Sequence, residues 1–137
     1  MAYLLDTSVV FELRKKAPDH NVAAWHQQNV KVDTYVSVLT LGEIRQGIER
    51  IRPKDSLQAG ALDRWLDRLS TVHRDRVLPV TADIADEWGY LGAANPPPAI
   101  DGLIAATAKV HRLVLVTRNV SDVARTGVRF VNPFEAL

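Results

Sequence analysis

Tyr3-Leu4-Leu5-Asp6-Thr7-Ser8-Val9-Val10 is the stretch on which the reading of this chain turns. Its apolar start reads as a buried strand, and Asp-Thr-Ser is the kind of cluster that ends a strand and opens a helix. Asp6 then stands at the carboxyl end of a central strand. Ligands bind at that edge in open α/β sheets, so the acid is a candidate site residue. The simpler alternative is that Asp6 only caps the helix that follows.

Working outward, residues 8–16 predict a helix with Val9, Val10 and Leu13 on one face. It closes in Arg14-Lys15-Lys16, cations that suit either a helix C-terminus or a phosphate. Pro18 and Asp19 punctuate, and a second helix follows over 21–28 with Val22 and Trp25 inward. Tyr35-Val36-Ser37-Val38 is β-branched and aromatic, a strand. Thr40-Leu41-Gly42-Glu43 then fits a capping box on a helix that Ile44, Gly47, Ile48 and Ile51 continue until Pro53. Residues 55–70 form a clean amphipathic helix whose charges need no chemistry.

Val77-Leu78-Pro79-Val80 predicts a short strand that Pro79 confines to an edge or terminal position. A helix over 81–94 carries Ile84, Trp88 and Leu91 inward, and Asn95-Pro96-Pro97-Pro98 breaks it. Residues 99–108 are small and apolar nearly all round, a buried helix with Asp101 in its first turn. Residues 113–117 read as a parallel-sheet strand, 118–122 as a turn and 128–131 as a last short strand. The order predicts an α/β chain: one domain over 1–137, a three-layer α/β/α sandwich around a mostly parallel sheet.

Composition narrows the function classes. Hydrophobic residues at 47% and charged residues at 24% are the balance of a globular protein, and no apolar run approaches the ~20 residues of a membrane span. The first residues show no export signal, so the expected location is the cytoplasm. The absence of cysteine removes disulfides, thiolate zinc sites, iron–sulfur clusters and cysteine nucleophiles together. A net charge of +1 says nothing about nucleic acid, because a basic groove can be balanced elsewhere.

The acids carry the chemical signal. Asp6 and the pair Asn119 and Asp122 follow two strands, Glu43 lies one helical turn past a third, and Asp101 opens a buried helix. Each has a capping role open to it, yet four acids at one edge of one sheet read better as one pocket. Two carboxylates ~4 Å apart at an effective dielectric of 20 repel by ~4 kcal/mol, so such a pocket calls for a cation. With no cysteine or histidine in these stretches, the donors are all oxygen and suit Mg²⁺ or Mn²⁺. Such metals most often serve phosphoryl transfer with water as the nucleophile. His20, His26, His73 and His111 fall outside these stretches and read as surface or partly packed imidazoles.

Taken together, 4–8, 37–44 with Gly47-Ile48, 101–108 and 116–122 resemble the PIN-domain ribonucleases, specifically the bacterial VapC/FitB-like toxins of type II toxin–antitoxin systems. The resemblance spans the chain in order and length. It implies a Mg²⁺- or Mn²⁺-dependent endoribonuclease that acts on tRNA, rRNA or mRNA and is neutralised by a small cognate antitoxin with a DNA-binding domain. It also implies a homodimer that becomes a heterotetramer or larger with the antitoxin. Carried over by position, Asp6, Glu43 and Asp101 match the metal-binding acids, and Thr7 and Thr117 match hydroxyls lining the same pocket. Many relatives have Asp directly after the Thr-Arg pair, where this chain has Asn119. The fourth carboxylate then passes to Asp122, with Asn119 a neutral ligand or orienting group.

Arg118, Arg45 and Arg14 are the cations available to meet RNA phosphates at the rim. A catalytically silent PIN-like module that binds RNA or protein is the alternative, but retention of all the acids argues against it. A haloacid-dehalogenase phosphatase would need a second Asp at position 8, which is Ser8, and the acidic pair and lysine of a response-regulator receiver are missing.

Overall fold

The structure is a computed structural model that describes residues 2–136. Five short strands alternate with helices along the chain: β1 (Tyr3–Leu5), β2 (Thr34–Ser37), β3 (Val77–Leu78), β4 (Val114–Val116) and β5 (Phe130–Val131). They pair in the order β3-β2-β1-β4-β5, and every pairing is parallel. The helices are α1 (Thr7–Leu13), α2 (His20–Gln28), α3 (Val38–Ile51), α4 (Ser56–Val72), α5 (Ala82–Leu91), α6 (Ala99–Val110) and α7 (Val120–Ala124).

Successive residues of a strand point to opposite faces, and that alternation builds the two cores. Leu5, Val36 and Val116 face a cluster with Val9 and Val10 of α1, Trp25 of α2, Ile44 and Ile48 of α3, and Leu62 and Leu66 of α4. Their neighbours Leu4 and Leu115 face the other way, against Ile104, Ala105 and Ala108 of α6 and Val123 of α7. A central strand buried on both sides is uniformly apolar for this reason, as Leu4-Leu5 and Val114-Leu115-Val116 are. The result is the expected α/β/α sandwich. β3 lies at one edge, where Pro79 immediately after it takes nothing from the ladder.

The chain leaves β1 for β2 and β3 on one side, then returns to place β4 on the other. The gap between the carboxyl ends of β1 and β4 is therefore the point where the strand order reverses, the crevice where open α/β sheets take their ligands.

Four local expectations are corrected. The third helix begins at Val38, not Thr40: Ser37 is its N-cap and accepts from the Leu39 amide at 3.0 Å, so no capping box involves Glu43. The first helix ends at Leu13, which leaves Arg14-Lys15-Lys16 beyond its last turn. The stretch after β4 is not a plain turn, since Val120–Ala124 winds into α7 with Asn119 at its N-cap and Asp122 in its first turn. Trp88 does not turn inward; it is 39% exposed, while Ile84 on the same helix is fully buried. Among the described residues no helix is long and apolar enough to cross a membrane.

Candidate active site

Asp6 is fixed from both sides of the strand reversal. Its amide donates to the Val116 carbonyl at 2.9 Å, continuing the β1–β4 pairing by one residue past the strand. Its Oδ1 accepts from the Thr7 amide at 2.8 Å, as an N-cap would, and its Oδ2 accepts from the Thr117 hydroxyl at 2.7 Å. The cap and the site are thus one arrangement. Burial pushes the Asp6 carboxyl above its ordinary range, opposed by the bonds from Thr117 and Thr7.

Glu43 reaches the same place from α3. The Thr7 hydroxyl donates to Glu43 Oε1 at 2.6 Å and lies 3.0 Å from the hydroxyl of Thr40, a fully buried residue. Thr40 and Glu43 are three residues apart and so share one face of α3. Thr7 in turn sits on the first turn of α1, one residue past Asp6, and links the two acids, with its amide on Asp6 and its hydroxyl on Glu43. Thr117 serves twice as well: besides its bond to Asp6, its oxygen accepts from the Asn119 amide at 3.0 Å and fixes the exit from β4.

Asp101, in the first turn of α6, completes the group. Its carboxyl is pushed up to about 6, first by burial, then by the negative charges of Asp6, Glu43 and Asp122. No hydrogen bond offsets those causes. The charges of the other three acids singled out in the sequence therefore all reach Asp101. Asp122 is the most loosely held: it is paired with Arg125 one turn along α7 at 3.2 Å, on the protein surface.

The donor set fits a hard divalent cation. It is all oxygen, and no basic group offsets the negative charges that act on Asp101. Among the described residues no three His, Asp or Glu side chains converge closely enough to ligate one ion directly.

The cations are placed less uniformly. Arg118 lies over the Phe134 ring at 4.3 Å, which pins it beside the exit of β4 without an acidic partner among the described residues. Arg45 bonds Asp63 at 2.7 Å and Glu49 at 3.0 Å, part of a network with Arg52 that ties α3 to α4. Arg14 stacks 5.5 Å from the Phe11 ring, and its Nε is buried without a partner. It lines an apolar cavity of about 260 Å³ with Leu5, Trp65, Leu69 and His73, away from any acid.

His73 was missed as a core residue. It is 8% exposed, with Nδ1 3.1 Å from the Leu69 carbonyl and Nε2 3.4 Å from the Thr34 hydroxyl, and burial pushes its pKa down. Its place at the C-cap of α4 was readable from the length of the helix, but its burial depends on β2 packing against that cap.

The role of Thr117 gives a direct test. Thr117→Val keeps the shape of a fully buried side chain and deletes its bond to Asp6 together with the one it accepts from the Asn119 amide, of which only the first depends on the charge of Asp6. The expected loss at pH 7 in metal-free buffer is about 1.5–3 kcal/mol, the range for a hydrogen bond to a charged group. It should shrink toward acid pH as Asp6 takes up its proton, and urea melts at the two pH values read the difference.

The fold, the strand-reversal crevice and its four acids define a class of protein before any comparison is made. A PIN-domain family model matches residues 3–127, and the chain belongs to that family. Within it the chain stands with the VapC/FitB-like toxins. It is 31% identical to the VapC ribonuclease Y4jK of Sinorhizobium fredii, over 96% of this chain and 97% of that one. It is 29% identical to the toxin FitB of Neisseria gonorrhoeae with the same coverage. A solved structure of FitAB bound to a DNA fragment superposes with a TM-score of 0.88 at 26% identity, covering 98% of this chain and 97% of that one.

Proposed function

We propose that this chain is a Mg²⁺- or Mn²⁺-dependent endoribonuclease, the toxin of a type II toxin–antitoxin pair in the cytoplasm, held in check by a small antitoxin with a DNA-binding domain. The observation that carries this reading is the pairing of Asp6 and Glu43 through Thr7 at the strand reversal of a PIN fold, with Asp101 near enough that their charges help to raise its carboxyl. The named relatives, a VapC ribonuclease and FitB, and the FitAB assembly support the activity class and a protein partner.

In this reading Asp6, Glu43, Asp101 and Asp122 would hold the metal together, one or two of them directly and the others through its waters, and Thr7, Thr117 and Asn119 line the pocket. The bound ion would supply charge at the scissile phosphate and lower the pKa of the attacking water. The protein's own part is positioning. Thr7 and Thr117 fix Asp6 and Glu43 with donors, so their free lone pairs point in set directions while the other oxygens are already satisfied. Asp101, with no such donor, is the acid whose charge most depends on the arrival of a cation. Arg118 stands at the rim to meet a phosphate flanking the cleaved one.

Incubation of the purified chain with single-stranded RNA tests the proposal. Cleavage with Mg²⁺ or Mn²⁺, its loss with a chelator and its recovery on adding metal back are expected. RNA left intact under all metal conditions would overturn it.

The fourth ligand can be assigned separately. Asp122→Asn removes a charge from the cluster and should shift the Mg²⁺ titration of cleavage to higher concentration, by roughly tenfold if Asp122 acts near the metal through water. Asn119→Ala should leave that midpoint in place, because its side chain makes no cap bond and the turn is held by its backbone amide. Matching titrations for Asp122→Asn and the parent would transfer the role away from Asp122.

A further inference from the structure

Trp88 lies one residue from the acidic cluster, and nothing in the proposed chemistry uses it. It stands on α5 where that helix crosses the first turn of α6. A Cβ added to Gly102 would come within 3.1 Å of Trp88 Cδ1 and Nε1 and 3.2 Å of Pro97 Cγ. The indole is therefore wedged edge-on into a slot that exists because the residue after Asp101 has no side chain. Pro97, itself buried in the Pro-rich connection from α5 to α6, closes the other side. One edge of the ring is thus held against α6, yet 39% of the residue remains open to solvent.

The surface of these two helix segments mixes acids with apolar groups, Tyr90 of α5 and Ile100 of α6 being exposed as well. Asp83 and Asp86 on α5 are exposed, and Glu87 is engaged by Lys109 of α6 at 2.8 Å. Such surroundings reject a phosphate and accept a neutral, flat group. An RNA chain that brings one phosphate to the acids has to put a neighbouring base somewhere, and an aromatic face held rigid beside Asp101 is suited to take it.

We propose that the open side of Trp88, wedged against Gly102 and Pro97 beside Asp101, is a stacking platform for an unpaired base of the RNA next to the cleaved phosphate. It is a substrate-positioning residue, and the assignment rests on the ribonuclease reading above. Stacking carries no charge, so Trp88 contributes to affinity without contributing to the salt dependence of binding. It also tolerates any base, so it selects for single-stranded RNA rather than for a sequence.

The test is equilibrium binding, in Mg²⁺ and in an Asp101→Asn background that does not cleave, of a short oligoadenylate and of an abasic ribophosphate chain of the same length. Trp88→Ala should weaken oligoadenylate binding about tenfold, a typical loss for one stacked base, and leave the abasic chain unaffected. The slope of log K against log salt should stay the same, and Trp88→Phe should recover most of the affinity. Equal binding of oligoadenylate by Trp88→Ala and its parent would overturn the platform while leaving the ribonuclease reading intact. No binding of either chain by the parent would overturn both. Sedimentation of the same proteins adds a further check: a shift to monomer on Trp88→Ala would show that a second copy covers the ring, and would also overturn the proposal.

Discussion

Asp101→Asn will abolish metal-dependent RNA cleavage and at the same time make the metal-free protein harder to melt. The first effect should be on the order of a thousandfold or more, because charge stabilisation by a bound metal supplies several kcal/mol and each 1.36 kcal/mol is a factor of ten. The second effect follows from the position of the residue. In the folded chain the Asp101 carboxyl is pushed up to about 6, against an ordinary value of 3.8, by burial and by Asp6, Glu43 and Asp122. Between those values the folded state holds more protons than the unfolded state, so stability falls as pH rises through that window and the deficit persists above it.

Asparagine has the same shape and does not titrate. In chelator, the variant should match the parent near pH 3.8 and melt higher than it above pH 6, as differential scanning calorimetry at both ends would register. Saturating Mg²⁺ should narrow or reverse the gap, because only the parent gains the full binding energy of the ion. Cleavage retained by Asp101→Asn would remove Asp101 from the catalytic group. A melting difference that does not change with pH would show that its carboxyl is not strained by its neighbours.

Ile44→Ala is expected to cost about 2–5 kcal/mol, the range for an isoleucine truncated in a core that cannot collapse around the gap. Ile44 is fully buried on α3, packed in the cluster that joins α1, α2 and α4 to the sheet. Set against a total stability of about 5–15 kcal/mol, that loss leaves a protein near its threshold, and chemical denaturation would read it directly. The residue also follows Glu43 in the chain. A loosened α3 should reduce cleavage beyond the fraction unfolded, so specific activity per folded molecule is the informative second measurement. A loss below 1 kcal/mol would mean that the helices of this face repack freely, which the full burial of Ile44 and Ile48 argues against.

How far the sequence reached can be seen in particular residues. Leu4-Leu5-Asp6 determined a buried central strand ending in an acid, because apolar residues on both faces of a strand have no solvent-facing alternative. The small-residue helix from Ala99 was legible as buried for the same reason, and Asp101 stood out because an acid within it needs compensation. The spacing of the four motifs determined the family, and Pro79 put β3 at an edge.

Other features depended on contacts between segments far apart in the chain. A capping box and a site acid look alike at Glu43; only the approach of α1 to α3 brings the Thr7 hydroxyl to it across 36 positions. Thr117 and Asp6 are 111 positions apart, and their bond exists because β1 and β4 are neighbours in a sheet whose order is not the chain order. The ion pair of Arg45 with Asp63 joins residues 18 positions apart and exists because α4 packs beside α3. The helical period turned Trp88 inward, whereas the close approach of α6 through Gly102 leaves the ring wedged at the surface. Local pattern determines which residues a segment must bury or place at its end. Which distant group meets each of them is decided by how the sheet is ordered and how the helices cross, and neither is written in any single segment.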